Sequence, residues 1–148
     1  MPFLQEAADA VTSAAGWRKA SPDAAGIVHF RLEDDLDVDL FSPDGRTLVL
    51  RAEVERLPSA EHDADDMLRR CASRAVAAGR KRRSVLALDG GALTLHRLVP
   101  REGGVEDMPR HVRDFLNDLV WWKAQMSAGA PTASPFSFPG LQGWGTVR

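Results

Sequence analysis

The chain has no tyrosine, one isoleucine (Ile27), one cysteine (Cys71) and three lysines. A lone Cys71 cannot close an internal disulfide, which excludes a secreted disulfide scaffold and fits a reducing compartment. No apolar run approaches the roughly 18–20 residues that cross a bilayer, so membrane insertion is not expected. The opening ten residues carry Glu6 and Asp9 but no basic side chain, which predicts no signal peptide. Neither sign of charge dominates. Nineteen Lys and Arg stand against 21 Asp and Glu, a net charge of −2. That balance argues against a chain built to coat nucleic acid. The scarce Lys and Ile and the absent Tyr have counterparts in 16 Arg and 21 Ala. Arg and Ala use GC-rich codons, and the scarce residues use AT-rich ones. The arginine excess is therefore read as coding bias rather than as a row of phosphate ligands.

What is present amounts to one domain of 148 residues and 16.2 kDa. Such a chain buries roughly 68–70% of its unfolded surface and needs no staples. Residues 3–16 carry Phe3, Leu4, Ala7, Ala8, Val11, Ala14 and Ala15 at helical spacing, with Gly16 as the stop. Three alternating segments follow at 27–33, 36–41 and 46–57, the pattern of an antiparallel meander with one wet side. Ser42-Pro43-Asp44-Gly45 marks one of the turns. A helix is predicted over 59–78, with Ser59 as N-cap and an acidic first turn. Two strands at 84–88 and 92–99 flank Asp89-Gly90-Gly91, a hairpin signal. A last helix is predicted over 107–126. The expected fold class is α+β, in the order α-β-β-β-α-β-β-α, with a twisted antiparallel sheet packed by helices. Residues 1–126 would form the domain. Residues 127–148, with three Pro, four Gly and no charge before Arg148, are expected to be a flexible tail.

Catalytic and metal-binding patterns are weak. There is no phosphate-cradling glycine loop and no GxSxG elbow. Cys71 falls in an apolar helical stripe and reads as a structural thiol. His62, Asp63 and Asp66 lack a second His at ligand spacing, and acids in a first helical turn have a simpler explanation. The acidic stretch Glu33, Asp34, Asp35, Asp37, Asp39 lacks an EF-hand pattern. No catalytic residue, metal or cofactor is therefore predicted. Arg80, Lys81, Arg82 and Arg83 could touch phosphates, which keeps a nucleic-acid-binding regulator as an alternative. They also lie past a helix C-terminus, where basic residues suit the dipole. What stands out is apolar surface without an evident cover. Ile27, Phe41 and Val49 fall on a charged sheet face, Phe3 and Leu4 on an exposed helix start, and Phe136, Phe138, Leu141 and Trp144 in the tail. A contiguous patch of that kind would mark a partner site.

The ordered set of motifs resembles the class I chaperones of bacterial type III secretion, the Tir chaperone family. The resemblance covers residues 1–126. It rests on the first helix with its Gly16 stop, the meander LDVDLFSPDGRTLVLRAEVERLP (36–58) and the acidic-start helix (59–78). The hairpin SVLALDGGALTLHRLVP (84–100) and the closing FLNDLVWWKAQM (115–126) complete it. It implies a cytoplasmic bacterial homodimer without enzymatic activity. Such a dimer binds the N-terminal region of secreted effectors and keeps it extended and export-competent, while a separate secretion ATPase releases the cargo. The dimer face implied by the resemblance is Met67, Leu68, Cys71, Ala75, Leu86 and Leu88. The cargo surface implied lies on the first helix and the meander, and exposure logic selects Phe3, Leu4, Val11, Ile27, Phe41 and Val49. A regulator of the same fold that binds a partner protein is the nearer alternative. The pI of about 6.1, the tail and the basic run 80–83 depart from the family pattern.

Overall fold

A computed structural model describes residues 2–32, 36–78 and 83–127. Three helices and five strands follow in the expected order. They are α1 Pro2–Ala15, β1 Val28–Leu32, β2 Leu36–Phe41, β3 Leu48–Arg56, α2 Glu61–Ala78, β4 Val85–Asp89, β5 Ala92–Val99 and α3 Met108–Met126. Of the sequence expectations, the tail beyond Ser127, the acids 33–35 and the basic residues 80–82 lie outside the described residues.

Local chemistry sets the element ends. At Gly16 the backbone takes a φ of 72°, which lets the Trp17 N–H turn back to the Thr12 carbonyl at 2.9 Å. Only glycine adopts that conformation without strain, and the helix ends there. The Asp44 carboxylate accepts the Arg46 and Thr47 N–H groups at 2.8 and 2.7 Å and closes the β2–β3 turn. Gly90 and Gly91 both carry positive φ, as a two-residue hairpin turn with right-handed strand twist requires. Helix α2 begins at Glu61 rather than at Ser59. Its first bond runs from the Ala64 N–H to the Ala60 carbonyl, so Ala60, which has no capping oxygen, holds the cap position.

The five strands form one antiparallel sheet in the order β1-β2-β3-β5-β4. Alternation sends Val28, Phe30, Val38, Leu40, Leu48, Leu50 and Leu95 to one face, all nearly inaccessible. Helices α1 and α3 pack together, and α3 lies against β3 and β5. Ala7 and Ala8, both fully buried, let α1 approach closely. Burying a Leu or Val side chain here contributes about 1.5–3 kcal/mol, so this face holds the domain together.

Two expectations are corrected. Leu4 and Val11 are core residues, 2% and 0% exposed. They share one stripe with Ala7 and Ala8 at spacings of three and four, and that stripe faces the interior through its first turn. Only Phe3 stays partly accessible. Met67 and Cys71, read as dimer residues, pack in the protomer's own core, 7% and 8% exposed. There α2 meets α3.

Candidate interaction surfaces

Three surfaces remain once the core is assigned. The first is the edge of β1, which among the described strands pairs only with β2. Beside it runs a groove of about 340 Å³, lined by Trp17, Arg18, Lys19, Ala20, His29, Phe30, Arg31 and Leu32. Gly16 turns the chain so that the Trp17 ring reaches Phe30, with centroids 5.8 Å apart. The groove therefore has an apolar floor and a basic rim.

The second surface is the sheet face opposite α1 and α3. Register aligns its side chains in rows across the strands. One row is apolar: Phe41 pairs with Val49, and Val49 with Leu98. Ile27 stands one residue before β1, half-buried. Of the apolar residues the sequence placed exposed on this face, Ile27 and Phe41 are half-buried, but Val49 is corrected: its neighbours in the sheet leave it only 7% exposed, while Leu98, which alternation also puts here, is 68% exposed. The signal was available, since Thr94, His96 and Leu98 alternate with the buried Leu93, Leu95 and Val99.

The neighbouring row is charged and internally paired. His29 binds Asp39 through Nδ1 and Asp23 through Nε2, both at 2.7 Å. Arg51 donates to Asp39 at 3.0 Å and lies 4.7 Å over the Phe41 ring. The bonds to Asp23 and then Asp39 raise the His29 pKa above its usual value. Asp23 is lowered, first by the Ile27 N–H it accepts and then by His29.

The third set of accessible apolar side chains lies on α2 and on β4. Val76 is 82% exposed, Val85 65% and Leu88 56%. Ala75 is exposed as well, while Leu68 and Leu86 are half-buried. Of the residues read as a dimer face, Leu68, Ala75, Leu86 and Leu88 are thus accessible and Met67 and Cys71 are not. Strand β4 is a sheet edge whose two faces both carry accessible apolar side chains.

Groups with chemical potential lie elsewhere. Burial pushes the Cys71 thiol up, away from the thiolate. Among the described residues no cluster of His, Cys, Asp or Glu could hold a metal ion. His62 meets Asp66 at 3.4 Å on the exposed side of α2, the spacing that sequence analysis noted. No described helix is long and apolar enough to cross a membrane. Arg97, on the inner sheet face, donates to His111 Nδ1 at 3.2 Å and stands 3.8 Å from Asp114. Asp118, also buried, accepts the Ser84 hydroxyl at 2.6 Å and anchors the start of β4 to α3. These buried polar groups order the scaffold.

No curated protein sequence matches the chain. Solved structures share its fold. A chain of the HopA1-SchA chaperone-effector complex aligns with a TM-score of 0.56 and 17% identity, over 82% of this chain and 91% of its own. A chain of the ExsC-ExsE complex gives 0.65 and 16%, over 85% and 95%. The Yersinia pestis type III secretion chaperone SycH, solved with a stable fragment of YscM2, is the subject of the third. It gives 0.59 and 15%, over 84% and 99%. Residues 13–123, from the last turn of α1 to the last turn of α3, match the Tir chaperone protein (CesT) family. On that match the chain belongs to the Tir chaperone protein family.

Proposed function

We propose that the protein is a cytoplasmic, homodimeric type III secretion chaperone. It binds the N-terminal region of secreted effectors and keeps it extended and export-competent. It catalyses no reaction and uses no cofactor. The family match over residues 13–123 carries this reading. The chaperone-effector and SycH-YscM2 complexes among the structural neighbours support it.

The surfaces suit the task. An extended guest can add its backbone to the free β1 edge and place a side chain in the groove floored by Trp17, Phe30 and Leu32. Phe3, Ile27, Phe41 and Leu98, all at least partly accessible, supply further apolar contact beyond that groove. Ordering a disordered guest costs entropy, so a large apolar area must offset it. A homodimer built on Leu68, Ala75, Val76, Leu86 and Leu88 doubles that area and covers the apolar edge at β4. An uncovered edge of this kind invites aggregation.

Co-expression with the N-terminal regions of candidate effectors tests the reading. A complex that co-elutes in size exclusion and protects the effector segment from protease is the expected result. Failure of every candidate to bind a folded chain would overturn it.

A further inference from the structure

Strand β1 is matched residue by residue on one side and open on the other. It sends Val28 and Phe30 to the interior and His29 and Arg31 to the outer face. Strand β2 answers that alternation in register. Val38 faces Phe30 and Leu40 faces Val28, while Asp37 faces Arg31 and Asp39 faces His29. Opposite charges and apolar neighbours in register both stabilise a strand pair. On its other side β1 has no partner among the described strands. We propose that the guest strand accepted there repeats the β2 pattern, with acidic side chains alternating with apolar ones. The proposal rests on the chaperone reading and adds the chemistry of the guest.

First, Arg31 has charge to spare. It is exposed, and among the described residues it makes no ion pair, although it faces Asp37. Its neighbours are committed. His29 uses both ring nitrogens on Asp23 and Asp39, and Arg51 donates to Asp39. Second, the groove beside the edge brings no acid of its own. Its lining includes Arg18, Lys19, His29 and Arg31 but no Asp or Glu. Arg18 is exposed and also makes no ion pair among the described residues. Lys19 approaches Asp9 only at 3.9 Å. The chain carries a net charge of −2, so this cluster inverts the sign of the whole.

Third, the acids of the sheet stand farther from the guest than Arg31 does. A strand added to β1 lies one strand spacing from it, about 4.8 Å, and two spacings, about 9.6 Å, from β2 and Asp37. Attraction to Arg31 is then about twice the repulsion from Asp37, and screening over about 10 Å widens the gap. The same alternation turns the guest's other side chains inward. There Trp17, Phe30 and Leu32 line the groove and take apolar groups. Apolar burial supplies the affinity at such a site, and the cations on its rim choose between guests.

The probes are three labelled peptides flanked by Gly and Ser. Their centres read Leu-Asp-Val-Asp-Leu, Leu-Ser-Val-Ser-Leu and Leu-Lys-Val-Lys-Leu. Fluorescence anisotropy follows their binding to the full-length chain. At about 0.1 M salt the Asp peptide should bind at least about threefold tighter than the Ser peptide, and the Lys peptide weakest. At about 1 M salt the Asp advantage should vanish. Arg18→Gln with Arg31→Gln should remove the advantage and leave the Ser peptide unchanged. Both positions are exposed, so packing is undisturbed. Arg46→Gln, a like charge change at the exposed β2–β3 turn, should leave the advantage intact. Equal affinities for the Asp and Ser peptides would overturn the proposal. So would an advantage that survives the double variant, or one that Arg46→Gln lowers as much. Binding of no peptide while an effector segment still binds would overturn it too. Failure of effector segments bears on the chaperone reading, and the difference between the Asp and Ser peptides bears on the guest's charge alone.

Discussion

Arg97 donates to the Nδ1 of His111 across 3.2 Å, in a largely apolar interior. The bond needs an unprotonated Nδ1. Burial first, and then the Arg97 charge, hold the His111 pKa below its usual value. His96 is lowered too, by burial and then by Arg51. Below about pH 6.5 the unfolded chain therefore binds more protons than the folded one, and stability falls as the pH falls. Urea midpoints should drop between about pH 6.5 and 5. His111→Asn, which keeps an acceptor for Arg97, should flatten most of that limb. An unchanged limb in the variant would assign it to other groups.

His29 acts in the opposite sense. Its bonds to Asp23 and Asp39 raise its pKa, so the folded chain holds the extra proton above about pH 6.5. That contribution is complete below the unfolded value and is lost as pH rises through the raised folded value. The side chain is 42% exposed, and solvent screening keeps the effect small. Stability should decline gently from about pH 6.5 to 8, and His29→Asn should remove the decline. High salt, about 1 M, should blunt it as well, because the Debye length shrinks to about 3 Å. A decline that survives both changes would place its origin elsewhere.

The strands were legible because local chemistry and tertiary packing agree. Leu36, Val38 and Leu40 alternate with Asp37 and Asp39, and β2 occupies those same residues. Asp89-Gly90-Gly91 announces its turn. Long-range facts were less visible. Nothing local states that β5 pairs with β3, which is what turns β4 into an edge and exposes Leu88. Leu4 looked exposed because it opens a helix, yet it sits in the core stripe. Arg97 shares a face with Leu93, Leu95 and Val99, so alternation placed it inside while its charge argued otherwise. Its partner His111 lies 14 residues along, on another element. The binding surfaces were harder still, because an accessible apolar residue and a core residue look alike until packing assigns them.

Variants on α2 and β4 separate the proposed dimerisation from folding. Val76 is 82% exposed, so Val76→Asp should change the stability of the monomer by no more than about 0.5 kcal/mol. Combined with Leu88→Asp it places charge in the proposed interface, and sedimentation should shift to the monomer mass with the circular dichroism unchanged. Met67→Asp makes the contrast. Met67 is 7% exposed in the protomer core, and a charge there should unfold the chain rather than merely dissociate it. A dimer that persists in the double variant would move the interface elsewhere.

Cys71 reports on the α2–α3 contact. Its thiol is 8% exposed and burial raises its pKa, so a thiol reagent reaches the thiolate only when the helix opens. Modification of the native chain should be slower than that of the urea-unfolded chain by at least about a hundredfold. Met67 lies one turn before Cys71 in the same buried stripe. Met67→Ala leaves a cavity there, at a cost of about 2–5 kcal/mol. If local opening carries the reaction, even about 1.4 kcal/mol of that cost speeds modification tenfold. The rate should then rise while reactivity in urea stays constant. A native Cys71 that reacts as fast as the unfolded thiol would mean that α2 does not shield it, and would remove Met67 and Cys71 from the core.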